Sequence, residues 1–273
     1  MDEQLGRNAA MTILVSLALA ALAGLFAWGP MPAGPVDHRL ADTRTLLGIP
    51  NALNVLVSLP CIGMSLWAWR VTRASALPPE LKRTWCWFQL AGLMTSVCTA
   101  PYHLQPGPGL HIASHVFLAT ACALITGAFL AERVDPWFAT PAARVVALVL
   151  PLMMAAPAVL GWLLGQAVDM RPLHWLQIVP ILLVPAGALG LRGRHTSRSD
   201  WMAALGLYGM ARLADIADTR LFEATGIISG HTVYHLGLAA VTAWTGYLAA
   251  RTPVSDDPAG TPSQPQTALK TAG

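Results

Sequence analysis

The run HIASHVFLATACALITGAFLA, residues 111–131, contains no Asp, Glu, Lys or Arg. As a helix rising 1.5 Å per residue, a run of this length matches the roughly 30 Å hydrocarbon core of a bilayer. Its apolar residues are continuous rather than alternating, so helix is the spanning form expected. Working outward, similar stretches fall near 84–103, 52–70 and 10–29 on one side. On the other they fall near 142–165, 173–191, 199–219 and 230–250. The pattern predicts an all-α membrane protein with about eight transmembrane helices.

Composition points the same way. Of the 273 residues, 55% are hydrophobic and 11% charged, against about 25% charged in soluble domains. Too few charges exist to coat a water-facing surface of this size. The net charge of +3 is spread thinly, with no basic stripe, which argues against a nucleic-acid partner. Cys61, Cys86, Cys98 and Cys122 all lie in apolar stretches without a CxxC pair, and read as small core residues.

The first segment reads as a retained span. Met1-Asp2-Glu3 is a poor basic leader, although Ala18-Leu19-Ala20 offers a small-residue pattern of the kind cleaved by signal peptidase. The stretch after Arg251 is rich in Pro, Ser, Thr and Asp and has little to bury, so residues 252–273 are expected to be a disordered tail. With the amino terminus placed in the cytoplasm, twelve of the 17 Lys and Arg fall on inner loops. Arg39, Arg44, Arg171, Arg212 and Arg220 stay outside. That bias predicts both termini inside. His38, His103, His111, His115, His174, His231 and His235 then lie at or near outer helix ends, and only His195 is inner. Any chemistry is expected at the outer leaflet.

The sharpest local signal is Ser229-Gly230-His231-Thr232-Val233-Tyr234-His235. Histidines at i and i+4 share one helix face. Two readings follow: joint ligation of a metal ion, or hydrogen bonding between helices. His103 ends the third span at the same level and is the candidate third ligand, since zinc in hydrolases commonly takes three protein ligands and a water. Residues 41–56 run from a loop into the second span. Pro50 marks a helix start, Asn51 and Asn54 enter its first turns, and Asp42 and Arg44 can pair. This stretch reads either as capping and anchoring or as part of the site. Asp215 and Asp218 pair with Arg212 or Arg220, or line the site. Asp169-Met170-Arg171 reads as a turn with a local ion pair.

Five blocks, in order, resemble the bacterial branch of the alkaline ceramidase family, within the seven-helix membrane hydrolases that include the adiponectin-receptor-like proteins. They are Asp42 to Pro60; Tyr102-His103-Leu104-Gln105-Pro106; Asp169-Met170-Arg171 with Leu176-Gln177; Gly206-Leu207-Tyr208 leading to Asp218; and Ser229-Gly230-His231 through His235. The resemblance implies a seven-helix transmembrane bundle over 31–251, with residues 1–30 as one extra amino-terminal transmembrane helix. It implies Zn2+ held by His103, His231 and His235, and hydrolysis of the amide of a ceramide-like membrane lipid whose chains lie between helices. A bacterial inner membrane is implied too, with the metal near the periplasmic face. Calcium is a further expectation of the resemblance, near Asp42 and Asn51.

The sequence also departs from that family's pattern. Thr99 stands where a serine is usual, with a hydroxyl suited to an oxyanion. Ser114 stands where an aspartate is usual, and His111, His115 or Asp42 are the candidates to replace it. Val57-Ser58 replaces a tandem Ser-Asn. The candidate catalytic residues are therefore Thr99, Ser114 and His115. A non-catalytic, zinc-stabilised lipid-binding protein is the competing reading. A transporter is disfavoured because no pair of broken helices or inverted repeat is visible.

Overall fold

A computed structural model describes residues 2–29 and 40–251. His38, Arg39, Lys270 and the expected tail 252–273 lie outside the described residues.

Eleven α-helices follow one another among the described residues. The first, α1 (Asp2–Trp28), is followed by α2 (Ala52–Leu56) and α3 (Ser58–Ala74). Next come α4 (Pro79–Leu104) and α5 (Pro108–Arg133). A 3-10 turn, Pro136–Ala139, leads to α6 (Pro141–Met154) and α7 (Ala156–Leu163). The chain continues through α8 (Arg171–Gly190), α9 (Arg198–Ile216), α10 (Asp218–Thr225) and α11 (Gly230–Ala250). All eight expected spans are helical. Three are broken, at Val57, Ala155 and Ala217; at the first two, Pro60 and Pro157 cannot donate to the carbonyls four residues back. The sequence reading had found no such pair of breaks. Of the two proline breaks, only the first borders the cavity described below, at Ser58, so the two do not jointly form an unwound ion path of the transporter kind. The short α10 was not anticipated. It begins where α9 stops at Ala217, and it buries none of its residues.

Among the described residues, five helical stretches are long and apolar enough to cross a membrane: Asn8–Trp28, Ala52–Ala74, Pro108–Arg133, Pro141–Leu163 and Arg171–Gly190. The remaining long helices, α4, α9 and α11, are less apolar. They carry the polar groups of the site: His103 and Thr99 on α4, Arg212 and Asp215 on α9, His231 and His235 on α11. Polar residues at membrane depth are costly unless they face one another or a cavity.

The packing order is a closed ring: α3 against α4, α4 against α5, α5 against α8, α8 against α9, α9 against α11, and α11 back against α3. Outside the ring, α6 and α7 lean on α5, and α1 leans on α8. Trp175 Nε1 donates to the Ala18 carbonyl at 2.9 Å, and Arg171 stacks over Phe26. Close approach of α9 and α11 depends on glycine. A Cβ on Gly230 would lie 1.9 Å from the Ala214 carbonyl oxygen, and one on Gly237 would lie 2.4 Å from the Ala211 Cβ. Small residues let helix backbones meet in this way.

The ring has two chemically different ends. At one, α4 closes and α5, α8 and α11 open, which brings His103, His111, His115, His174, His231 and His235 to one level. At the other, Glu132 and Arg133 pair at 3.2 Å with side chains each 1% exposed. Glu132 accepts from the His195 amide and the Thr196 hydroxyl, while Arg133 donates to the Thr196 hydroxyl and carbonyl. This knot ties the α8–α9 connection to the end of α5. Trp201 Nε1 joins it at Thr196, and Arg251 pairs with Asp200. Glu132→Ala strands the Arg133 guanidinium in a buried setting, and losing one partner of such a pair costs about 3–5 kcal/mol. The variant is expected to melt well below the wild type in detergent, read by size-exclusion monodispersity after heating. An unchanged melting profile would show the knot to be dispensable.

Candidate metal centre

His103 comes from the last turn of α4, and His231 and His235 from the first two turns of α11. Their Nε2 atoms converge: 3.1 Å from His103 to His235, 3.1 Å from His235 to His231, and 3.4 Å from His231 to His103. A tetrahedral zinc ion with bonds of about 2.0–2.1 Å spaces its ligand nitrogens about 3.3–3.4 Å apart. The spacing of this triad fits such an ion. Among the described residues, it is the one group of three His, Cys, Asp or Glu side chains with ligand atoms so gathered.

The tautomer supports the same reading. His231 Nδ1 lies 2.8 Å from Asp215 Oδ1. A carboxylate accepts only, so Nδ1 carries the proton and Nε2 presents a lone pair to the centre. Three imidazole nitrogens in mutual contact form three pairs that neutral rings, with one proton or lone pair each at Nε2, cannot all satisfy by hydrogen bonds; a shared cation resolves this. Carboxylate behind histidine is the usual outer support of a metal ligand. Asp215 Oδ2 also accepts from Arg212 Nη1 at 2.7 Å. The two readings of Asp215, ion pairing and lining the site, are thus both true. Its sixteen-residue separation from His231 left no local spacing to reveal the contact.

The surrounding chain fixes the ligand backbones. Ser229, fully buried, caps α11 by accepting from the Thr232 amide at 3.2 Å. Asp218 accepts from the His231 amide at 2.7 Å and from the Ala41 amide at 2.9 Å. Asn54 receives the Thr232 hydroxyl and donates to the Asp42 carbonyl. Asn51 donates to the His103 carbonyl at 2.8 Å, and the Cys61 thiol to that of His235 at 3.2 Å. His103 is 1% exposed and its Nδ1 has no protein partner. Its orientation therefore rests on this backbone grip and on its packing among the other rings. The 41–56 stretch is thus a clasp across both ligand-bearing helices, which joins its two sequence readings.

The Asp42 carboxylate is paired with a guanidinium of the chain itself. Arg44 donates to both its oxygens, through its amide and Nε to Oδ1 and through Nη2 to Oδ2. That guanidinium holds the Asp42 carboxyl below the usual carboxylate range and supplies the cation expected there. Arg44 also donates to the carbonyls of Gly226 and Ile227, tying the clasp to the loop before α11. Asp169 and Arg171 form the expected local pair at 2.7 Å.

A cavity of about 350 Å³ runs down the ring from the triad, lined by all six ring helices. It reaches Trp201 and Thr245. Fourteen residues of α11 separate His231 from Thr245, roughly 21 Å of helix. Thr99, Ser114 and His115 all line this cavity. Thr99 spends its proton on the Thr95 carbonyl at 2.7 Å, and Ser114 on that of His111 at 2.8 Å. His115 is engaged by Gln177. The cysteines are unpaired as thiols, as expected.

Fold and site together define a multi-pass helical membrane protein with a candidate three-histidine metal centre. In comparisons with family models, curated proteins and solved structures, nothing matches this chain. The resemblance drawn from its motifs therefore enters below as a proposal.

Removing the carboxylate behind His231 tests the centre directly. Asp215→Asn is expected to weaken zinc binding about 10–100-fold, measured by competition with a chromophoric chelator. Equal affinities in variant and wild type would exclude Asp215 as support for the ligand.

Proposed function

We propose that this chain is a zinc-dependent membrane hydrolase of the alkaline ceramidase kind, cleaving the amide of a ceramide-like lipid with metal-activated water. The observation that carries this reading is the triad of Nε2 atoms at 3.1–3.4 Å, placed at the head of a deep cavity inside a helical ring. In this reading α2 to α11 form a seven-helix transmembrane bundle, with α2–α3 and α6–α7 each counted as one span and α10 outside the bilayer. The first helix is an addition to it. Both termini face the cytoplasm of a bacterial inner membrane, and the metal lies near the periplasmic face.

The chain's residues divide the work by position. His103, His231 and His235 would hold the zinc, which when bound supplies hydroxide near neutral pH and polarises a carbonyl. Asp215 orients the His231 ring through Nδ1, and Arg212 holds the Asp215 carboxylate in place. Below the triad, Leu118, Ile125, Val184, Leu205 and Leu238 give the cavity an apolar wall. Its length of roughly 21 Å exceeds the roughly 15 Å of one leaflet's hydrocarbon, so a long acyl chain fits along it. The same apolar wall keeps bulk water from the scissile bond.

A second reading, a zinc-stabilised lipid-binding protein without turnover, is favoured by one specific observation. The Thr99 and Ser114 hydroxyls are both turned into their own helices. Neither is poised over the triad as a donor or base.

One set of assays separates the two. The protein is purified in detergent, its zinc content measured, and amide and ester lipids assayed with and without chelator. His231→Ala is expected to lose metal and activity together. One equivalent of zinc retained in that variant would refute the ligand assignment, and bound zinc without turnover across the panel would select the binding reading. Ser114→Asp, which restores a carboxylate beside the cavity, is expected to raise amidase activity; no change on any substrate would show that the cavity no longer supports that chemistry.

A further inference from the structure

The cavity carries a second set of imidazoles besides the triad. His111 and His115 lie on one face of α5 with ring centroids 4.4 Å apart, and His174 of α8 lies 5.2 Å from His115. Tyr102, next to His103, is 5.2 Å from His111. Unlike the triad, these three do not gather their ligand atoms at one point, so a second metal is not what they are arranged to hold.

What distinguishes them is donor character. The Gln177 amide nitrogen lies 3.0 Å from His115 Nδ1. An amide NH2 only donates, so Nδ1 accepts and the ring proton sits on Nε2. His115 is thereby fixed as a hydrogen-bond donor in the cavity wall. His111 and Arg212 line the same cavity. Asp215 is the one carboxylate among the lining residues, and both its oxygens are engaged, by His231 and by Arg212. Ser114, beside His115, directs its hydroxyl to the His111 carbonyl. The head of the cavity is therefore lined by the donor His115, by His111, and by the Arg212 guanidinium, whose pairing with Asp215 occupies the one carboxylate in the lining. Its depth is apolar. A site of this shape matches an amphiphile with an oxyanion at its head.

We propose that the cavity selects a lipid whose head group bears an oxyanion, a carboxylate or a phosphate, recognised by His115, His111 and Arg212. This narrows the substrate class of the proposed hydrolase, and so rests on that reading for its catalytic meaning. Its test is an equilibrium measurement that does not require turnover.

Full-length, zinc-loaded protein in nanodiscs of neutral lipid is titrated with palmitate, hexadecyl phosphate and hexadecanol. At least one anion is expected to bind more tightly than hexadecanol. Losing a hydrogen bond to a charged group is expected to lower the anion-to-neutral affinity ratio about tenfold in His115→Leu. Gln177→Leu, which leaves the imidazole but frees its tautomer, is expected to lower the ratio in the same direction. A preference for one anion over the other identifies the head group as carboxylate or phosphate. Hexadecanol binding as tightly as both anions overturns the proposal. So does an anion preference that survives both substitutions and vanishes only with chelator, which would assign recognition to the metal alone. If the ratios behave as expected but no amide or ester lipid is cleaved, the hydrolase reading falls and the head-group site stands.

Discussion

Three imidazole nitrogens within 3.1–3.4 Å of one another, at one end of the helical ring, are the constraint on which the rest of this structure depends. Lone pairs brought this close in a medium that screens poorly repel one another. A cation relieves that repulsion, and a metal ion bound to deprotonated ligands couples its binding energy to the fold. Bound zinc would therefore cross-link α4 to α11. The ring is also joined there by the α11–α3 and α3–α4 contacts, so the metal completes an assembly that helix packing begins.

Much of the remaining polar chemistry at this end follows from holding those rings still. Each ligand-bearing backbone is gripped by something that is neither a ligand nor part of its own helix. Asn51 takes the His103 carbonyl, Cys61 that of His235, and Asp218 the His231 amide. Arg44 then locks the clasp by occupying Asp42 and reaching two carbonyls ahead of α11. A chain that places its own guanidinium against that carboxylate ties the loop to itself. This is why the capping and site readings of residues 41–56 cannot be separated: capping is how the loop serves the site.

The long helices and the His231–His235 pair were legible in the sequence because each obeys a short-range rule, whereas His103 lies 128 residues from His231. Continuous apolar runs announce helices in lipid, and His-x3-His announces a shared face. The helix breaks were legible in part, since Pro60 and Pro157 are visible, yet a proline near a helix start and one within it look alike until the neighbouring carbonyls are placed. What the sequence concealed required tertiary contact. The Asp215–His231 bond joins α9 to α11, the His115–Gln177 bond joins α5 to α8, and the Glu132–Thr196 knot spans 64 residues. None has a local signature. The extent of the Asp42–Arg44 pairing was hidden for a related reason: the two are two residues apart, and an ion pair that close looks the same in a sequence whether it is incidental or fills the carboxylate completely.

The uneven hydropathy of the long helices is a consequence of this arrangement rather than a weakness in it. The helices that fall short of the apolar threshold for a span, α4, α9 and α11, are adjacent to or carry the triad and its carboxylate. Their polar groups spend their hydrogen bonds on one another inside the ring, so lipid does not have to accommodate them. Glycines at 230 and 237 draw α11 against α9 until backbone meets side chain, which is what brings Asp215 within reach of His231. A larger residue at either position would widen that seam, and the carboxylate would lose its imidazole before the helices lost their lipid-facing surface. Site and fold are thus coupled through the α9–α11 interface, and the far end of the cavity meets the charged knot at Trp201, which lines the one and donates to Thr196 in the other.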